Sequence, residues 1–193
     1  MSSLPADVYI VPGYGATPRS HWFPWLRRRL AADGLQAQVV ALPAPTNPQP
    51  APWQQALARA VGQPGPTTSI VAHSLGCLTL LHYLQSRPAV KVGAVVLVAG
   101  FYEVLDRYPN LQPFFEPALD FGQLRGQAQA YRVIASRDDT HVPLERTQAL
   151  AQALHAPLKE TNRCGHFLAE DGVSRLPLAL DLLRGNRPPK PTP

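Results

Sequence analysis

The feature that most constrains this chain is an alternation of short β-branched apolar runs with stretches of helical periodicity, kept from one end to the other. Residues 8–11, 38–42, 69–72, 92–99, 131–135 and 158–161 read as strands. Residues 21–32, 53–61, 75–86, 143–154 and 173–184 read as helices, several bounded by Gly or Pro, as at Asp33-Gly34 and Pro88. Strands that run parallel need a crossover between them, and a helix is the usual one. The pattern therefore predicts an α/β protein, a parallel sheet with helices on both faces. The uninterrupted apolar run at 92–99 suits a central strand covered on both sides.

One segment breaks the rhythm. Residues 100–129 carry Phe101, Tyr102, Tyr108, Phe114, Phe115 and Phe121, interrupted by Pro109, Pro113, Pro117, Gly122 and Gly126. A connection this long has structure or function of its own. Its place after the fourth strand suits a small cap, although the aromatics could equally fill core. With no internal repeat and no second core, residues 1–186 are expected to form a single domain, followed by a Pro-rich extended tail at 187–193.

Composition excludes several classes. Hydrophobic residues make up 45% of the 193 and charged residues 16%, which suits a globular chain rather than a disordered one. The net charge of +5 includes Arg27-Arg28-Arg29. Three successive helical residues fan over different faces, so this run reads as solvated surface, and no nucleic-acid reader module accompanies it. Cys77 and Cys164 form no C-x-x-C pair and are too few for a disulfide scaffold. The first strand begins by Val8, leaving no room for a signal peptide, and no apolar run reaches membrane-spanning length. A cytoplasmic protein with reduced thiols is expected, without membrane or nucleic-acid partners. His21, His82, His141 and His155 have no metal-site spacing, and no zinc-type cluster occurs.

Ser74 stands out. It lies in Ala72-His73-Ser74-Leu75-Gly76, between the third strand and the following helix, and among the eight serines it alone has small residues two places away on both sides. In an open parallel sheet, ligands bind beyond the carboxyl ends of the strands. A sharp strand-to-helix turn there crowds the flanking positions and pushes the middle hydroxyl out over the sheet. The bland alternative is a buried helix-capping serine. A serine nucleophile needs a base and an orienting acid. His166, in Cys164-Gly165-His166-Phe167, follows the sixth strand, and Asp138 and Asp139 follow the fifth. Asp139, three residues ahead of Val142-Pro143, is preferred to Asp138. The order Ser, Asp, His is that of α/β-hydrolases. The N–H groups of Leu75 and of Tyr14, in Pro12-Gly13-Tyr14-Gly15, are candidates for an oxyanion hole. Trp22, His73, Phe101, Tyr102 and Phe167 are candidates for the pocket by position alone. Cys77 reads as core, and a cysteine nucleophile at Cys164 lacks a turn to present its thiol.

Taken together these motifs resemble the small single-domain serine hydrolases of the retinoblastoma-binding protein nine and YdeN type, within the α/β-hydrolases. The matching stretches are Val11-Pro12-Gly13-Tyr14-Gly15, His21-Trp22 with Trp25, Ala72 to Gly76, Ser136-Arg137-Asp138-Asp139 ahead of Val142-Pro143-Leu144, and Cys164-Gly165-His166-Phe167. The resemblance implies a three-layer α/β/α sandwich, with a six-stranded parallel sheet ordered 2-1-3-4-5-6. It also implies a Ser74–Asp139–His166 triad, a small-molecule acyl substrate and no cofactor. The first small residue of the elbow is often Gly and here is Ala72, which still fits. The namesake suggests pocket-protein binding through Leu-x-Cys-x-Glu. This chain has Leu75-Gly76-Cys77-Leu78-Thr79, ending in the wrong residue, so no such partner is expected. The competing reading is a binding or regulatory module with a vestigial site on the same scaffold. Dehalogenase-type chemistry would want Asp where Ser74 stands.

Overall fold

The computed structural model describes residues 7–185. Six strands form one parallel sheet: β1 (Val8–Val11), β2 (Ala37–Val39), β3 (Ser69–His73), β4 (Val92–Val98), β5 (Ala128–Ser136) and β6 (Leu158–Thr161). Their order is β2-β1-β3-β4-β5-β6, as expected. The helices are α1 (Phe23–Ala32), α2 (Pro50–Val61), α3 (Leu75–Gln85), α4 (Phe121–Arg125), α5 (Leu144–Ala153) and α6 (Pro177–Arg184).

Alternate strand residues feed two core layers. Val8 and Ile10 of β1, with Val96 and Val98 of β4, face the layer under α1 and α6, where Phe23, Leu26, Leu30, Leu180 and Leu183 pack. Tyr9, Val11, Val95 and Leu97 face the opposite layer, filled by α2, α3 and α5. The Arg27-Arg28-Arg29 run is exposed. Cys77 is buried in α3, and burial pushes its thiol up; Cys164 is also free. No helix among the described residues is long and apolar enough to cross a membrane.

Several boundaries differ from expectation for physical reasons. Helix α2 starts at Pro50 instead of Trp53, because proline is tolerated in a first turn whose N–H groups have no intrahelical acceptor. Strand β5 starts three residues before Tyr131, where Ala128 and Ala130 register against Val92 and Ala94 of β4. Helix α6 starts at Pro177 instead of Val173; Val173 and Leu176 are buried from the loop ahead of it. The 187–193 tail lies outside the described residues.

The connection after β4 contains a 3₁₀ helix (Pro109–Phe115) and the short α4. Its Phe101, Leu105, Leu111 and Phe114 are buried in the α2/α3/α5 layer. One side is fastened to α3: His82 Nε2 lies 2.9 Å from the Phe114 carbonyl, and Gln85 donates to the Ala118 carbonyl at 3.0 Å. The other side reaches across to the segment after β5. Glu103 pairs with Arg146, Arg107 donates to the Thr140 carbonyl at 3.0 Å, and the Tyr108 hydroxyl meets His141 Nδ1. This connection therefore spans the carboxyl edge of the sheet, where Ser74 stands.

Candidate active site

Ser74 sits between β3 and α3 with φ 53° and ψ −125°, a backbone conformation uncommon for a residue with a side chain. Its N–H donates to the Val98 carbonyl at 2.9 Å, and its own carbonyl accepts from Cys77 N–H at 2.9 Å. The turn is possible because α3 runs close over the end of β1. A Cβ on Gly76 would lie 2.4 Å from the Pro12 carbonyl oxygen and 2.6 Å from that of Val11. Gly76 is thus required by close approach, whereas Ala72, fully buried, meets no such limit.

The structure brings Ser74, His166 and Asp139 together. His166 Nε2 lies 2.9 Å from Ser74 Oγ, and His166 Nδ1 lies 2.7 Å from Asp139 Oδ2. All three side chains are largely removed from solvent; that of Asp139 is 2% exposed and that of His166 7%. The other carboxylate oxygen of Asp139 accepts from the N–H groups of His141 and Val142, at 2.8 and 2.9 Å. Asp138, the neighbour, turns the other way. Its Oδ1 accepts from Ser136 Oγ and from the N–H groups of Cys164 and Gly165. The Ser136 hydroxyl, with those backbone donors, holds the Asp138 carboxyl below its ordinary value.

The turn bearing His166 is seated by side chains. Asp171 Oδ2 accepts from the N–H of His166 at 2.8 Å and of Leu168 at 3.0 Å. Gly165, at φ 49°, leaves room for that carboxylate, since a Cβ there would lie 2.4 Å from Asp171 Cγ. From below, His73 Nε2 lies 2.9 Å from the His166 carbonyl. A carbonyl can only accept, so Nε2 carries the proton. Burial holds the His73 pKa well below the ordinary imidazole value, and the nearby His166 lowers it further. His73 therefore packs and donates, and Nδ1 is left without a partner among the described residues.

A cavity of about 220 Å³ opens over Ser74. Its apolar wall is Phe101, Leu105, Leu111, Val142 and Leu168; its polar lining is Tyr14, His73, Ser74, Tyr108, His141 and His166. Of the five residues expected there by position, His73 and Phe101 line it and three do not. Trp22 and Phe167 are fully buried in the α1/α6 layer, and Tyr102 packs edge-on against Phe121 with ring centroids 4.8 Å apart. Sequence reading missed Tyr108, His141, Leu105, Leu111, Val142 and Leu168. The exposed Tyr14 borders the cavity, with its hydroxyl donating to the Thr46 carbonyl at 3.1 Å. The next two N–H groups, of Gly15 and Ala16, are taken up by the carbonyls of Pro45 and Gly13. Leu75 is the first residue of α3, so its N–H has no intrahelical acceptor. No cluster able to hold a metal ion occurs among the described residues.

Comparison with known proteins bears on the family and the fold. A family model described as serine hydrolase matches residues 8–185. YdeN of Bacillus subtilis (strain 168) is 38% identical over 178 residues, covering 92% of this chain and 94% of that protein. Serine hydrolase RBBP9 of Rattus norvegicus is 24% identical over 84% of this chain and 88% of its own. The crystal structure of the B. subtilis ydeN product superposes with a TM-score of 0.90 at 37% identity, over 93% of this chain and 97% of that one. At 16% identity and a TM-score of 0.60, esterase PE8 shares the fold over 95% of this chain and 97% of that one. With the α/β-hydrolase sheet order in place and the family model spanning nearly every described residue, this chain belongs to the serine hydrolase family.

Proposed function

We propose that this chain cleaves a small carboxylic ester, or the corresponding thioester or amide, through an acyl-enzyme on Ser74. One observation carries the reading: a continuous, buried hydrogen-bond relay from Ser74 Oγ through His166 to Asp139, opening into an apolar-walled cavity. The esterase among the structural neighbours and the serine hydrolase among the relatives support the same class.

Ser74 Oγ attacks the acyl carbonyl carbon as His166 Nε2 takes the hydroxyl proton. Asp139 keeps the proton on His166 Nδ1 and stabilises the imidazolium that forms. The N–H groups of Leu75 and Tyr14 receive the oxyanion, with the N-terminal end of α3 adding its positive dipole. The carbonyl–heteroatom bond then breaks, and the leaving group departs with the proton from His166. Water enters and gives its proton to His166 while its oxygen attacks the acyl carbon. Collapse releases the carboxylic acid and returns the proton to Ser74 Oγ. The test is a serine-directed fluorophosphonate, read by intact mass on wild type and Ser74→Ala. One adduct on the wild type and none on the variant is expected. A well-folded wild type without an adduct sinks the reading and leaves a binding module on a hydrolase scaffold.

A further inference from the structure

The cavity over Ser74 carries more polar equipment than acyl transfer uses. Of its polar lining side chains, four are engaged: Ser74 and His166 in the relay, His73 on the His166 carbonyl and Tyr14 on the Thr46 carbonyl. The remaining two, Tyr108 and His141, are bonded to each other, from segments 33 residues apart. His141 also lies against the His166 ring, with centroids 5.0 Å apart.

Counting hydrogens on this pair is informative. A neutral imidazole carries one N–H and a phenol one O–H. Their mutual bond, which involves His141 Nδ1, consumes one of the two hydrogens. The other is left over, on His141 Nε2 when Tyr108 donates, or on the Tyr108 oxygen when His141 donates. Burial first, then the neighbouring His166 and Arg107, lowers the His141 pKa below the ordinary imidazole value, against a weaker opposite pull from Asp139 and Asp171. The pair thus has a spare donor in the wall of a cavity whose other polar lining side chains are already engaged and whose remaining lining, Phe101, Leu105, Leu111, Val142 and Leu168, is apolar. A hydrocarbon chain filling that cavity expels the water that would satisfy it. Sites with a donor of this kind select substrates that supply the acceptor and reject analogues that lack it.

We propose that Tyr108 and His141 are a specificity-determining pair, selecting acyl groups that carry an uncharged acceptor oxygen, oxo or ether, a short way from the scissile carbonyl. The inference rests on the acyl-transfer reading of Ser74. His141 lies against the ring of His166, which itself meets Ser74 Oγ, so the acceptor is called for close to the scissile carbonyl.

The experiment compares 4-nitrophenyl 4-oxopentanoate with 4-nitrophenyl 4-methylpentanoate, which match in length and branching and differ in the acceptor. The ratio of their kcat/KM values is measured for wild type, the Tyr108→Phe/His141→Phe double variant and each single Phe variant. Dividing the wild-type ratio by a variant's ratio cancels the different intrinsic reactivities of the esters. A fall of about tenfold in the double variant is expected, the size of one neutral hydrogen bond at the upper end of its range. Each single variant keeps the hydrogen of the remaining partner and is expected to retain more of the ratio than the double variant. A ratio unchanged in the double variant overturns the proposal, and so does an equal loss on both esters, which would make the pair a structural tie only. Fluorophosphonate labelling of the same proteins separates the two levels. Labelled wild type with an unchanged ratio sinks the specificity pair alone, whereas unlabelled wild type removes the acyl-transfer reading beneath it.

Discussion

Asp138 and Asp139 are adjacent in sequence and do different things. Asp139 divides its two oxygens between the His166 ring and the N–H groups of His141 and Val142. Asp138 spends its oxygen on the main chain of the turn that carries the histidine. Asp139→Asn replaces the acceptor facing His166 Nδ1 with a group that can select the wrong tautomer, and it is expected to lower kcat by about 10⁴. Asp138→Asn loosens a largely exposed seat and is expected to cost no more than about tenfold. Steady-state kinetics on one ester decides; the reverse ranking would move the acid to Asp138. Position along the chain favoured Asp139, but only the turn geometry shows how far apart the two carboxylates point. The failures at this scale have the same origin. Phe167 adjoins His166 in sequence, yet its side chain, like that of Trp22, packs in the α1/α6 layer. Tyr108 and His141 meet only through the fold of the connection after β4, and no periodicity encodes that meeting.

At the scale of elements, the elbow between β3 and α3 was the most legible part of the molecule. Its small flanking residues answer a steric demand that can be stated without coordinates. The structure adds which demand is strict. Ala72 shows that the first flank tolerates a methyl group, while at Gly76 a methyl would enter the carbonyls of Val11 and Pro12. Gly76→Ala must therefore push α3 away from the end of β1. Overpacking of this kind costs about 1–3 kcal/mol. The same displacement moves Leu75 relative to Tyr14, so hydrolase activity is expected to fall by at least tenfold in protein that still folds. Thermal unfolding with kcat/KM on the surviving native protein tests this; an undisturbed Tm with full activity would mean that the two elements can separate freely. Element boundaries were less legible than element types. Ala128, Gln129 and Ala130 alternate too briefly to signal a strand and become one through pairing with β4. The helical spacing of Val173 and Leu176 comes from loop residues that happen to reach the same core layer as α6.

For the whole molecule, the decisive electrostatic fact is where the histidines are. His73, His21, His82 and His141 all have pKa values lowered from the ordinary 6.5, and in each the largest cause is burial. In the unfolded chain these imidazoles take up protons near pH 6.5; in the folded chain they do so only at lower pH. Between the two values the unfolded state binds more protons, so stability rises with pH there and is lost as pH falls below about 6.5. The Asp138 carboxyl is also lowered, but its window lies below the ordinary carboxylate value of 3.8 and does not overlap. The protein is therefore expected to lose stability between pH 7 and 5. His73 should dominate, being the most deeply buried of the four and lying between the elbow and the His166 turn. Urea midpoints measured from pH 8 to pH 5 test this, with His73→Gln as the comparison. The variant is expected to start less stable, because it disturbs the seat of His166, and to show a flatter dependence on pH. A wild-type midpoint that stays level across this range would mean that the folded protein accommodates the protons, and that the His73–His166 contact is not what ties the site to the core.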